Sequence, residues 1–246
     1  MLVGKAFVKA WLDCAKCHSL LWIHGMQRYG DASLLHMLYS PDEGCGFLMD
    51  YDLSISSTSV RDRKGTIPLM ALELLHKKYW AGTFKRLYHH ELEAFIWILP
   101  FVFLRYQDKI PQAEELVTKW MTSDYTQCHK EKCSFSTSDR LLEAGTLVQP
   151  DFQNEWNLVT FLITWILGEQ ERRGRAKLYG KPVVNPDMMY VWLEFTQQLR
   201  SVGSAFPLQL AYIGELVDEL GLEKMLSVEV DDGVSGTLLA LPRTYP

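Results

Sequence analysis

Residues 31–54 of the chain, DASLLHMLYSPDEGCGFLMDYDLS, are the stretch on which the fold assignment depends. Two short apolar runs, residues 37–39 and 46–49, lie on either side of the sequence Ser-Pro-Asp-Glu-Gly. Proline and glycine between such runs are typical of a tight turn, so the pattern predicts a β-hairpin. Asp31 precedes the first run and Asp50 follows the second. The sequence therefore predicts two carboxylates that flank one hairpin.

The segments on both sides of the hairpin carry helical patterns. Apolar residues at helical spacing predict a helix over residues 5–24. Residues 92–103 are apolar almost all round, which is typical of a helix at the centre of a core. Between them, the Ser/Thr-rich residues 54–68 predict an exposed loop, and residues 69–76 predict a short helix. Further candidate helices cover residues 112–122, 154–175, 187–202 and 207–220.

The whole pattern indicates one mainly α-helical domain with a small hairpin. No repeat of fixed period and no low-complexity linker divides the chain. We therefore expect a single domain over residues 1–225. The last residues, 226–246, contain two glycines and two prolines and are expected to form a loosely packed tail.

Composition excludes several classes of protein. The chain of 246 residues has a net charge of −5, so it lacks the basic balance expected of a nucleic-acid-binding protein. Its longest apolar stretches, residues 95–104 and 158–167, are far shorter than the ~20 residues that span a bilayer. The N-terminal residues do not resemble a signal peptide. The five cysteines show no disulfide pattern. We expect an intracellular protein with no membrane and no nucleic-acid partner.

Four motifs follow one another in an order that resembles the C-terminal lobe of a fungal-type protein kinase. Residues 29–38, YGDASLLHML, resemble the catalytic loop His-Arg-Asp-Ile-Ser-x-x-Asn-Ile-Met of that family. Residues 49–54, MDYDLS, resemble its metal loop Ile-Asp-Phe-Asp-Leu-Ala. Residues 65–75, GTIPLMALELL, are similar to its anchor Gly-Thr-x-x-Phe-Met-Ala-x-x-Leu-Leu. Residues 91–99, ELEAFIWIL, are similar to Asp-Leu-Glu-Ser-Phe-x-Trp-Val-Leu.

The resemblance implies a reaction and its two central residues. Family members transfer the terminal phosphate of ATP to Ser or Thr hydroxyls, and Mg²⁺ neutralises the phosphate charge during the transfer. Asp31 matches the catalytic base and Asp50 matches the Mg²⁺ ligand. The cofactors implied are Mg²⁺ and ATP, and the partner implied is a protein substrate or another protein.

The resemblance also assigns supporting roles. Thr66 resembles the loop threonine that supports the catalytic acid. Glu73 resembles the anchor acid that pairs with an arginine of a later helix, although the sequence does not single out which one. Glu91 stands where the family has an aspartate that ties down the catalytic loop. The Ser/Thr-rich loop could be phosphorylated or could be only solvated, and its candidate phosphorylation sites are Ser56, Ser57 and Thr58.

Two departures from the family pattern predict weak activity or none. The position that normally holds an asparagine ligand for a second metal ion holds His36, and Mg²⁺ prefers oxygen ligands. Neither a Gly-x-Gly-x-x-Gly loop nor a Val-Ala-Ile-Lys strand precedes Asp31. The fold expected is therefore the C-terminal lobe alone, with the N-terminal β lobe absent. Three hypotheses remain: a truncated, weak or inactive kinase, a non-catalytic interaction module of pseudokinase type, and a fragment of an incomplete gene model of an active kinase.

Two cysteine–histidine groups suggest prosthetic groups that we do not expect. The first has the spacing of a haem-attachment motif but lies within the predicted first helix, where one cysteine should be in the core and the other partly exposed. The second has no further pair of ligands nearby and is predicted to lie in a polar loop, so no zinc site is expected. The two groups are Cys14, Cys17 and His18, and Cys128, His129 and Cys133.

Overall fold

A computed structural model describes most of the chain and shows a mainly helical protein. The described residues are 2–24, 33–49, 66–80, 86–107, 110–111, 115–181 and 186–224. The longer helices are α1 (Gly4–Ile23), α3 (Tyr88–Arg105), α5 (Tyr125–Phe135), α6 (Ser138–Leu147), α7 (Trp156–Leu178), α8 (Met188–Ala205) and α9 (Pro207–Glu219). Two single turns, α2 (Lys77–Trp80) and α4 (Glu115–Thr118), lie between them.

The predicted hairpin is present and its register is defined. Strand β1 (Met37–Ser40) pairs antiparallel with β2 (Cys45–Leu48), with Met37 opposite Leu48 and Leu38 opposite Phe47. Gly44 ends the turn with φ of +64°, a conformation that costs glycine little and other residues more. A second antiparallel pair, β3 (Tyr106–Gln107) and β4 (Ile110–Pro111), was not predicted.

Helix α3 is the centre of the core, as its all-round apolar sequence predicts. Nearly every residue from Tyr88 to Leu104 is buried. Aromatic residues of other elements contact it both edge-on and face to face: Trp97 meets Trp120 edge-on with ring centroids 5.4 Å apart, and Phe103 stacks on Phe152 at 4.5 Å. Such pairs add to the free energy gained by burial. Helix α3 therefore supports α1, the anchor and the later helices α7 and α8, and the hairpin packs against α1.

Helix α5 corrects the prediction of a polar loop around Cys128 and Cys133. Asp124 accepts hydrogen bonds from the backbone N–H groups of Thr126 and Gln127, which is the geometry of an N-cap. The buried residues of the helix are Cys128, Lys132 and Phe135, spaced four and three apart on one face. The polar residues between them obscured this spacing in the sequence.

The other predicted elements agree with the structure to different degrees. The predicted helices 154–175, 187–202 and 207–220 correspond to α7, α8 and α9. The predicted helix 112–122 is represented by α4 alone, and residues 112–114 lie outside the described residues. The predicted tail, 226–246, also lies outside them. Among the described helices none combines the length and the apolar character needed to cross a membrane.

Candidate functional site

The hairpin brings the position of His36 next to the residue that precedes Asp50. Beyond the last strand pair, the backbone N–H of Met49 donates to the carbonyl of His36 at 2.9 Å. Met49 directly precedes the predicted metal-ligand position in the sequence, and His36 is the predicted asparagine-equivalent position. Asp31 and Asp50 themselves lie outside the described residues, as do Ser56, Ser57 and Thr58. Their assignment stays a prediction.

A short turn of 3-10 helix, Leu34–His36, leads into the hairpin. Its first residue is preceded by the buried Ser33, whose hydroxyl accepts a hydrogen bond from the backbone N–H of Leu35 at 3.2 Å. This cap satisfies one of the backbone donors that a helical turn leaves unpaired. The backbone after residue 32 is therefore held in a fixed conformation up to His36, whose side chain is half-exposed.

The anchor segment, Thr66–Leu75, is built from two turns of 3-10 helix, Ile67–Leu69 and Leu72–Leu75. Thr66 is half-buried, and its carbonyl accepts from the backbone N–H of Leu69 at 2.8 Å. The first residue of the second turn is capped by a buried carboxylate from α3. The side chain of Glu93 accepts a hydrogen bond from the backbone N–H of Leu72 at 2.8 Å. The anchor segment is thus capped by a side chain from the central helix.

Glu93 serves more than one donor. The same carboxylate accepts hydrogen bonds from the indole N–H of Trp97 at 3.1 Å and from the side-chain amide of Gln170 at 2.9 Å. A buried carboxylate is tolerated when hydrogen-bond donors of this kind replace the lost water. Glu93 therefore joins the anchor segment, α3 and α7 at one point.

Glu73 lies at the centre of a group of basic side chains. Its Oε2 is 3.1 Å from Nε2 of His90, 3.3 Å from Nε2 of His89 and 3.6 Å from Nη2 of Arg173, and its Oε1 is 3.8 Å from Nζ of Lys177. Arg173 of α7 is therefore an arginine of a later helix that pairs with Glu73, while the anchor role of Glu73 stays a prediction. Hydrogen bonds from His89 and His90, with the charge of Arg173, hold the pKa of Glu73 well below its usual value.

Glu73, His89 and His90 also lie close enough together to suggest a metal site, with their ligand atoms within 4.8 Å of one another. The hydrogen bonds argue against it. The backbone N–H of Leu87 donates to Nδ1 of His90 at 2.9 Å, so the ring proton is on Nε2, where it is directed to Glu73. Burial lowers the pKa of His90 to about 4, which keeps the ring neutral. Two cations already compensate the carboxylate, so the group is an ion-pair cluster.

A small cavity of about 30 Å³ lies beside this cluster, between α3, α7 and α8. Two nearly buried polar atoms that line it, Nδ1 of His89 and Nε of Arg173, have no hydrogen-bond partner among the described residues. Nδ1 of His89 is an acceptor when the ring donates through Nε2 to Glu73, and Nε of Arg173 is a donor. Space for water and complementary polar atoms are the conditions for a buried water molecule.

Glu91 is fully buried under helix α1. Both of its oxygens face the guanidinium of Arg86, with Nη2 of Arg86 3.1 Å from Oε2, and the same oxygen is 3.8 Å from Nε2 of His18. His18 also stacks on the ring of Tyr88 with centroids 6.0 Å apart. The predicted bond from Glu91 to the catalytic loop, residues 29–38, stays a prediction, because residues 29–32 lie outside the described residues.

Sequence reasoning missed several of these side chains. Arg86, His89 and His90 had no assigned role, although an Arg and two adjacent His before an apolar helix are an unusual concentration of polar groups. The sequence also gave an indication for Glu93, since an acid within an otherwise apolar helix must find hydrogen-bond partners when it is buried. The cysteines of the first helix are placed as predicted, with Cys14 buried and Cys17 half-buried.

Comparison with known proteins supports the family resemblance. Residues 4–103 match the model of the family described as fungal protein kinase. The match begins at the first residue of α1 and ends within α3, so it includes the hairpin, the anchor segment and the Glu91–Glu93 motif. It confirms the resemblance that the four motifs predicted. A search among curated proteins and a search among solved structures each gave no match.

Proposed function

We propose that this chain contains the C-terminal lobe of a protein-kinase-like fold whose reaction is Mg·ATP-dependent phosphorylation of Ser or Thr hydroxyls, with weak intrinsic activity. In this proposal Asp31 is the catalytic base that orients the hydroxyl proton, and Asp50 holds Mg²⁺ against the phosphates. Such transfer depends on positioning and charge neutralisation more than on covalent chemistry. The domain extends over residues 1–225.

The observation that carries the proposal is the pairing of His36 with Met49 within the region that matches the family. In the motif pattern, position 36 and position 50 both hold metal ligands, so they must lie close together. The observed register supports this expectation, because residue 50 directly follows the partner of His36 in the sequence. A shift of one residue would turn the side chains to the opposite face.

The residues fit one Mg²⁺ ion better than two. A carboxylate at Asp50 is a hard oxygen ligand of the kind that Mg²⁺ prefers, whereas the imidazole of His36 is not. The ion would supply charge neutralisation for the transferred phosphate. The substitution at position 36 is one of the two departures from the family pattern on which the weak activity in the proposal rests.

Phosphate transfer by variants at position 36 tests the proposal. The purified chain is incubated with radiolabelled ATP, Mg²⁺ and a mixed protein substrate. We expect slow transfer by the wild type, faster transfer by His36→Asn, and no transfer when His36→Asn is combined with Asp31→Asn. Transfer that persists without Asp31, or an inactive His36→Asn variant that binds no Mg·ATP in a calorimetric titration, would contradict the proposal.

An interaction module is the second candidate, and the outer face of the hairpin favours it. Leu38 and Phe47 are directly opposite each other in the register, and each exposes more than a third of its surface. Leu35 is 83% exposed and Met49 is 40% exposed beside them. Adjacent apolar side chains on one surface are more informative than single ones, because they mark sites where a partner binds.

The outer face can be tested without knowing the partner. We expect the wild-type chain to bind a hydrophobic fluorescent dye, or to self-associate in sedimentation experiments as its concentration rises. The double variant Leu38→Ser/Phe47→Ser should lose either behaviour while its circular dichroism is unchanged. A wild-type chain that stays monomeric and binds no dye would count against this candidate.

A further inference from the structure

We propose that Lys132 is a positioning residue, whose buried ammonium group fastens the anchor segment Thr66–Leu75 to the helical core through the carbonyl of Met70. Helix α5, which carries this lysine, follows the region that matches the kinase family. No role for Lys132 follows from the four motifs. The inference concerns how the anchor segment is held and does not depend on whether the chain transfers phosphate.

The contact is direct and excluded from water. Nζ of Lys132 donates to the carbonyl oxygen of Met70 at 2.5 Å, and the side chain of Lys132 is fully buried. Lysine is almost never fully buried unless its charge is compensated. A hydrogen bond from a charged donor to a carbonyl is stronger than one between neutral groups. The contact therefore connects two segments 62 residues apart in the sequence.

Two aromatic rings provide further compensation for the buried charge of Lys132. Nζ lies 4.1 Å from the ring centroid of Trp97 and 5.9 Å from that of Trp120. A cation over an indole ring is attracted by its electron density, most strongly where water is excluded. Trp97 is in turn fixed by its hydrogen bond to Glu93, which also caps Leu72. The anchor segment is thus held at two successive points, Met70 by Lys132 and Leu72 by Glu93.

The fastening should respond to pH in the alkaline range. The groups that bear electrostatically on the ammonium are Glu93 of α3 and, on its own helix, Cys128, Cys133 and His129. Burial lowers the pKa of Lys132 to about 8, although these thiols and Glu93 act in the opposite direction. An exposed lysine loses its charge only near pH ~10.4. Between these values an opened, solvated state of the anchor binds a proton at Lys132 that the closed state does not, so raising the pH should disfavour opening.

Amide hydrogen exchange of the full chain tests the proposal. The amides of Leu72, Leu74 and Leu75 are compared with core amides of α3, after correction for intrinsic exchange at each pH. In Lys132→Met we expect these amides to exchange about tenfold faster at pH 7, as for loss of a hydrogen bond from a charged donor. The control Lys130→Met, at an exposed position of the same helix, should change nothing.

The wild type provides a second measurement in case the variant does not fold. Between pH 7 and 9.5 the protection of the three anchor amides should rise relative to α3, with the rise beginning near pH 8, because an opened state that exposes Lys132 binds a proton that the closed state has lost. In a folded Lys132→Met chain this pH dependence should be absent. Unchanged protection in Lys132→Met, or a wild-type profile that is flat across this range, would overturn the proposal.

Discussion

The hairpin and the anchor segment are both short pieces of chain on the same helical core, but they are fastened in different ways. The hairpin approaches α1 through its backbone: a Cβ atom added at Gly46 would lie 2.2 Å from the carbonyl oxygen of Ala10. The anchor segment is instead held by buried ionisable side chains, Glu93 and Lys132, and by the Glu73 cluster. The hairpin also has charged partners on α1, since Lys9 donates to the carbonyl of Gly44 at 3.1 Å and the backbone N–H of Gly46 donates to Asp13 at 2.9 Å. Close backbone contact distinguishes the hairpin and buried charge distinguishes the anchor, so different changes should release them.

Removal of the cap of the anchor should have the largest effect on stability. In Glu93→Leu the donors of Leu72, Trp97 and Gln170 lose their acceptor, and the charge of Lys132 loses a nearby carboxylate. We expect the free energy of unfolding in urea to fall by about 4 kcal/mol, since buried unpaired donors each cost one to several kcal/mol.

A control for this change is Glu171→Leu. Glu171 is exposed and, among the described residues, pairs with Arg175 on the same helix, so its removal should change the free energy of unfolding by about 0.5 kcal/mol or less. Equal effects of the two substitutions would show that the carboxylate of Glu93 does not hold the anchor.

A methyl group at the hairpin should have the next largest effect. Gly46→Ala places a carbon atom against the backbone of α1, where nothing flexible can move aside. We expect a loss of about 2–3 kcal/mol in the free energy of unfolding, the range for overpacked sites. The control is Gly168→Ala in α7, which has open space around it and should be neutral or stabilising by up to ~1 kcal/mol.

Acid should loosen the anchor more than the hairpin. The folded-state pKa of His90, about 4, is below the value of 6.5 in the unfolded chain, and that of Glu73 is also lowered. The unfolded chain therefore binds more protons as pH falls through 6.5 towards 4, and stability is lost over that window.

The size of the acid effect can be measured by urea unfolding at several pH values. One group contributes at most about 1.4 kcal/mol per pH unit. His90→Gln should reduce the slope between pH 6.5 and 4.5, whereas His24→Gln, at an exposed site, should leave it unchanged. A wild-type slope near zero in this window would contradict the neutral state of His90.

The smallest effect is expected on the outer face of the hairpin. Leu35 is 83% exposed, so Leu35→Ser should change the free energy of unfolding by no more than about 0.5 kcal/mol. A loss above 2 kcal/mol, measured by urea unfolding, would show that the side chain is covered in solution by another part of the chain or by a second copy.

The same contrast explains what could be predicted from the sequence. The turn at residues 40–44 and the apolar run of α3 are local signals, and both elements were predicted correctly. The anchor acid Glu73 was identified by its motif, but its partner Arg173 is a hundred residues away, beyond any local pattern. Helix α5 was missed because its single buried stripe includes a lysine, and a sequence gives no sign that a lysine is buried.

The site itself could be predicted only in part, for a physical reason. The roles of Asp31 and Asp50 stay predictions from motif order, and the structure adds the pairing of His36 with Met49. The compensating groups around Glu91 and Glu93 come from α1, α7 and the segment before α3, and their proximity depends on packing. Buried charges are therefore the features that the structure adds to the sequence.

A crystal structure of the chain with Mg²⁺ and a non-hydrolysable ATP analogue would test the central assignment most directly. The account predicts that the carboxylates of Asp31 and Asp50 face the same metal–phosphate position beside His36. Side chains of residues 31 and 50 on opposite surfaces of the hairpin would contradict the kinase assignment.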